Sequence, residues 1–131
     1  MSSLGIVITK LGQTGAVTAI TGSAGIYPVD FPQGASPPCV VANIVSGVDE
    51  PFLEGAAKFW RGVVTVECLA STADVMVSLA EAVIEALNGT KNATIAGHTD
   101  VSILKGGTDF TDKSDDRSTY RRTVDFKVRW R

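Results

Sequence analysis

The chain has 131 residues, 44% of them hydrophobic and 20% charged, with a net charge of −2. That length suits a single domain, residues 1–131, able to bury roughly two thirds of its unfolded surface, and the composition excludes a wholly disordered chain. The charge is unevenly spread: residues 1–117 carry 7 basic against 13 acidic groups, whereas residues 118–131 carry 5 against 1. A free nucleic-acid binder is usually basic overall, so the concentrated positive end suits an acidic protein surface instead, such as another copy of this chain.

The N-terminus, MSSLGIVITKLG, lacks the basic region of a signal peptide. No apolar run reaches the roughly 18–20 residues that cross a bilayer. The expected compartment is the cytoplasm in which the chain is made, with no membrane partner. Leu4, Val7, Ile8 and Leu11 fall at i, i+3, i+4 and i+7 and predict a short helix. The β-branched run Ile6 to Thr9 argues for a strand. Gly12 and Gly15 break the element, and Ala16 to Thr21 suit a brief second helical turn ended by Gly22 to Gly25.

Tyr27 to Gly47, YPVDFPQGASPPCVVANIVSG, packs Pro28, Pro32, Pro37 and Pro38 into its first twelve residues. Proline cannot donate to a sheet ladder and pushes its predecessor to an extended conformation. The segment reads as a stiff arm, turning at Gln33-Gly34, that delivers the chain to a first strand at about 39–46. Residues 46–56, SGVDEPFLEGA, read as an acidic loop with Phe52 and Leu53 near its tip. A second strand follows at about 58–69, with Val64, Val66 and Cys68 towards the core and Val63, Thr65 and Glu67 away from it. Cys39 and Cys68 lie in strand-like runs without metal-ligand spacing, and are read as buried free thiols.

The strongest helical pattern is 72–88, where Met76, Leu79, Ala80, Val83 and Leu87 share one side. Ser71 or Thr72 caps its start, Asp74 suits the dipole, and Asn88-Gly89 stops it. Asn88 and Asn92 match glycosylation sequons but are read as turn residues. A third strand is expected at about 100–105. Residues 106–118, GGTDFTDKSDDRS, read as a solvated loop, because the aspartates lack the ligand order, central glycine and terminal glutamate of a calcium loop. The final strand, Tyr120 to Arg131, alternates best. Tyr120, Val124, Phe126, Val128 and Trp130 take one face, with Arg122 as the exception, and Arg121, Thr123, Asp125, Lys127, Arg129 and Arg131 take the other. The fold class is therefore α+β: a mostly antiparallel four-stranded sheet packed by a long helix and a short N-terminal helix.

No catalytic constellation is evident. The one histidine, His98 in AGHTD, has no Cys or His at ligand spacing, and no phosphate loop, dinucleotide fingerprint or nucleophile elbow occurs. No cofactor or metal is expected, and the chain is not read as an enzyme. Single-strand nucleic-acid readers mix aromatic and basic groups on one exposed face, whereas the last strand separates them.

The ordered features resemble the tail-completion, or tail-terminator, proteins of long-tailed phages and related gene-transfer particles, the group that includes the lambda-type tail terminator. The likeness rests on GIYPVDFPQGASPPCVVANIVSG (25–47), VVTVECLA (63–70), STADVMVSLAEAVIEALNG (71–89) and YRRTVDFKVRWR (120–131). It implies a virion protein at the head-proximal end of the tail, forming a ring, expected to be hexameric, that caps the tail tube, stops its polymerisation and meets the head connector. Implied partners are further copies of the chain, the tube protein, the connector or stopper protein, and DNA passing through the central hole without sequence recognition. On that reading Asp49, Glu50, Phe52, Leu53 and Glu54 are candidate contacts with an adjacent subunit or ring. So are Arg121, Lys127, Arg129 and Arg131. The alternatives are a neck or head-closure subunit of the same particle and, in another class, a small α+β enzyme or ligand-binding protein.

Overall fold

A computed structural model describes residues 2–22, 25–30, 36–44, 50–54, 57–114 and 118–131; for 2, 50–54 and 57–59 it describes the backbone alone. Helix α1, Ser2–Gly12, and helix α2, Gly15–Thr21, are bent by 81° at the break between them. The helix forms despite its β-branched run because Leu4, Ile6, Val7 and Leu11 are all buried. Burial is worth about 1.5–3 kcal/mol for each such side chain, against a helix penalty of a few tenths for each β-branched residue. Past α2 the chain doubles back so tightly that a Cβ at Gly25 would collide with the carbonyl oxygen of Thr21.

Strand β1, Ile26–Pro28, then runs parallel to β2, Cys39–Ile44. The front of the proline-rich segment is thus an edge strand rather than a free arm, which agrees with the confinement of proline to sheet edges. Its expected turn at Gln33-Gly34 lies outside the described residues; the Pro37–Pro38 peptide bond is cis. Strand β3, Glu50–Glu54, replaces much of the loop expected at 46–56 and forms a hairpin with β4, Ala57–Ala70. Helix α3, Ala73–Leu87, follows. Thr72 is its cap, with the hydroxyl accepting from Val75 N at 3.3 Å. At the other end Asn88 Oδ1 accepts from Lys105 N at 2.9 Å, tying the helix stop to the sheet.

Strands β5, Thr90–Ile95, β6, His98–Lys113, and β7, Tyr120–Trp130, complete the chain. Ala96 and Gly97, both at positive φ, join β5 to β6 in the two-residue turn that suits strand twist. Among the described residues the sheet has seven strands: six in the order β1-β2-β4-β7-β6-β5, with β3 beside β4. The four-stranded expectation is therefore corrected, as is the two-helix count; the α+β class stands. Three strands escaped notice because β1 and β5 are short edge strands and β3 contains Pro51. The loop expected at 106–118 is also largely strand, since β6 continues to Lys113 and pairs with β7 there.

The long pairing of β4 with β7, from Trp60↔Trp130 to Ala70↔Tyr120, fixes two faces. On the inner face Val64, Val66, Cys68, Val124, Phe126, Val128 and Trp130 meet the buried sides of α1, α2 and α3 in one core. The outer face carries a separate small cluster of Tyr27, Cys39, Val41 and Leu69, to which no described helix residue belongs. Phe126 is the largest fully buried side chain at the centre of this arrangement. Phe126→Ala should lower the unfolding free energy by about 3–5 kcal/mol in denaturant titrations; a loss below about 1 kcal/mol would contradict this core.

Candidate assembly surface

The outer face divides along β7 into an upper half of ion pairs with β6 and a lower half rich in basic groups. Asp112 lies opposite Arg121 in the β6–β7 register. The guanidinium grips it with two bonds, Nε to Oδ1 at 2.9 Å and Nη2 to Oδ2 at 2.5 Å, and a third group, Glu67 Oε1, lies 3.5 Å from Nη1. Arg122, the exception on the apolar face, makes a similar fork with Asp109, both bonds 3.1 Å, while Lys105 Nζ lies 2.8 Å from the same carboxylate. A planar guanidinium suits such bidentate pairing. Asp109 and Asp112, read as belonging to a solvated loop, are thus the counter-ions of Arg122 and Arg121 in the final strand. Arg122 and Lys105 hold the Asp109 carboxyl at about 2, and Arg121 holds Asp112 low in the same way.

Between the halves Asp125 is buried although it lies on the polar face. Its carboxylate accepts from Thr65 Oγ1 at 2.7 Å and from Thr108 N at 3.1 Å, pinning the irregularity where β6 shifts register between Lys105 and Asp109. Gly107 sits there with φ +100, and a Cβ on it would lie 3.0 Å from Asp125 Oδ2. Beside it Thr123 Oγ1 is buried without a hydrogen-bond partner among the described residues.

The lower half is basic. Arg61 on β4 stands directly opposite Arg129 on β7, and Lys127 lies two residues along on the same face. All three are exposed. On its other side Arg61 stands opposite Glu50 in the β3–β4 register, so an acidic residue already neighbours this row. Arg131 reaches Asp100, with Nη1 3.3 Å from Oδ2. Of the residues singled out from sequence, Lys127 and Arg129 share this row, whereas Arg121 is committed to Asp112 within its own chain. Glu50, Phe52, Leu53 and Glu54 form β3, paired with residues 57–61; Asp49 lies outside the described residues. Residues 57–59 extend past the last β4–β7 pair at Trp60, so the hairpin continues beyond the end of β7. Sequence reading missed Arg61, although its parity with Val63, Thr65 and Glu67 places it on the polar face.

The thiols offer no chemistry. Cys39 and Cys68 are both buried and free, and burial pushes the Cys68 thiol up to about 12.

The fold has solved counterparts. A chain of the structure described as "Virion of native gene transfer agent (GTA) particle" superimposes with a TM-score of 0.71 at 14% identity, covering 95% of this chain and 90% of that one. A second solved chain gives a TM-score of 0.59 at 13% identity, with 100% of this chain and 96% of the other covered. No curated protein matches the sequence. This is an architecture found in a virion subunit. The family Tail completion protein gp17 matches residues 6–131, and the chain belongs to that family of phage-tail structural proteins.

The paired carboxylates give the surface a defined acid response. In the unfolded chain Asp109 takes up its proton near pH 4, whereas the folded chain keeps it ionised to about pH 2. The stability this contributes is complete above pH 4 and is lost as pH falls towards 2. Asp109→Asn should flatten the fall in melting temperature between pH 4 and 2, with Asp112 supplying the remaining slope. An unchanged slope in thermal scans would contradict the assignment.

Proposed function

We propose that this chain is the terminator subunit of a phage or gene-transfer-particle tail. Copies form a ring, taken to be a hexamer, on the head-proximal end of the tail tube. The ring stops tube growth, offers a surface to the head connector or stopper protein, and leaves a central hole for DNA. The family match over residues 6–131 carries this reading.

The geometry supports it in two ways. A sheet face that no helix among the described residues covers is available to a neighbour, and Lys127 and Arg129 give part of that face a charge that an acidic surface can meet. The β3–β4 hairpin, continuing past the end of β7, supplies a second element suited to contact with an adjacent subunit or ring. No step here requires a nucleophile, a metal or a cofactor, and the protein acts by binding alone.

Disrupting the gene in its parent particle and measuring tails by electron microscopy tests the reading. Overlong tubes that fail to join heads are expected. Tails of normal length lying unattached would move the protein to the neck, and normal infectious particles would remove the structural role proposed.

A further inference from the structure

Open sheet edges pair readily with other chains, and natural sheets carry devices against it. Strand β1 carries one. Val40 N donates to the Gly25 carbonyl and Val29 N to the Ala42 carbonyl, so residues 25 and 29 face β2. Alternation then turns the main chain of Ile26 and Pro28 outward, and proline has no N–H to offer. At the far side of the sheet β5 is interrupted by two register shifts and holds Asn92 at φ +52. That irregular edge is a poor template for a regular strand.

Strand β6 is different. Its pairing with β5 stops at Ile103, and Asn88 Oδ1 takes the N–H of Lys105. From Asp109 to Lys113 no described strand lies on the side away from β7, and all five residues are exposed. Ser114 N donates to the Thr119 carbonyl at 2.9 Å, which fixes the phase of the ladder. The main chain of Phe110 and Asp112 therefore faces β7, whereas that of Asp109, Thr111 and Lys113 faces outward. No proline interrupts this stretch. Its aspartates, which could guard an edge by charge, are already paired with Arg122, Lys105 and Arg121 of the same chain. Phe110 on this edge is 46% exposed.

The same phase, carried across β7, turns the even-numbered residues of β4 towards β7 and the odd ones towards β3. Pro51 then faces outward and blocks the outer edge of β3, as Pro28 blocks β1. The other flank of the hairpin is open. Beyond Trp60, the last residue of β4 paired with β7, Lys58 directs its backbone N–H and C=O to a side where no described strand lies.

We infer that the open edge of β6 in one copy receives the open flank of the β3–β4 hairpin of the next copy. The inference rests on the ring reading above and names a main-chain contact that builds the ring. Blocked edges at β1, β3 and β5 leave these two as the sites free to pair. They also lie at opposite corners of the sheet: the β6 edge flanks the start of β7, and the hairpin passes its end on the other flank. A contact between unlike corners is head-to-tail and closes into a ring when the rotation between copies permits. Strand addition takes its affinity from main-chain hydrogen bonds and its selectivity from flanking side chains, here Phe110.

Proline tests the contact, because at both sites it removes an outward N–H and no bond within the chain. Thr111→Pro and Lys58→Pro should each stay folded by circular dichroism yet associate about tenfold more weakly by sedimentation and mass photometry. Mixed together, the two variants should form pairs but no closed ring, since only the hairpin of the first fits the edge of the second. Hydrogen exchange on the wild type decides even if a variant misfolds: the amides of Thr111 and Lys58 should gain protection on assembly.

Either variant assembling at wild-type strength, or unchanged exchange at either amide, would overturn the contact while leaving the ring reading intact. A wild type that never assembles would remove the ring reading and this contact with it. If Thr111 is protected in intact particles but not in the isolated oligomer, the edge serves a different protein and the inference fails.

Discussion

Everything else in this molecule depends on the alignment of β4 with β7. Their pairing runs without a break from Trp60↔Trp130 to Ala70↔Tyr120, through the middle of the sheet. Because side chains alternate, this register places Val64, Val66 and Cys68 beside Val124, Phe126 and Val128 under the helices. The same register sets Thr65 against Asp125, Glu67 against Thr123 and Arg61 against Arg129 on the other side. A slip of one residue would turn both sets over, exposing the core and burying arginines. The apolar face makes that slip prohibitive. The polar face is therefore held in place by the packing behind it, and the basic row is a consequence of the core.

The same logic separates what could be read in the sequence from what could not. Helix α3 was legible because its apolar stripe, its Thr72 cap and its Asn88-Gly89 stop agree with one another. The faces of β4 and β7 were legible because alternation reports directly on burial. The remainder of the sheet was hidden for physical reasons. Strand β6 is half polar beyond Lys105, and it holds its place through ion pairs with Arg121 and Arg122 rather than through burial. A pattern of Asp109, Asp112 and two glycines resembles a loop until its partners are known. Strand β5 contains Asn92 in a left-handed conformation, which the sequence presents as a turn. The assembly surface was half legible. The excess of basic groups at the C-terminus was plain, but the loss of Arg121 to Asp112 and the gain of Arg61 opposite Arg129 depend on register. The acids proposed from 49–54 form part of β3 or lie outside the described residues.

Charge placement is also where fold and function meet. A tail-completion protein needs surfaces that recognise further protein, and the chain devotes one face of each layer to water-facing polar groups. Arg121 and Asp112 pair across β6–β7 in the upper half of the outer face, and Arg122 and Asp109 do the same on the opposite face. The lower half is left with Arg61, Lys127 and Arg129 in one exposed row. A net charge of only −2 thus conceals an uneven distribution, with 5 basic groups against 1 acidic in residues 118–131.

The most direct test of this account is a cryo-electron microscopy structure of the assembled oligomer at side-chain resolution. The account expects a closed ring of copies in which the outer sheet face, where Lys127 is exposed, lies against a neighbouring subunit. An assembly that forms no ring, or in which the outer sheet face of every copy meets only solvent, would contradict it.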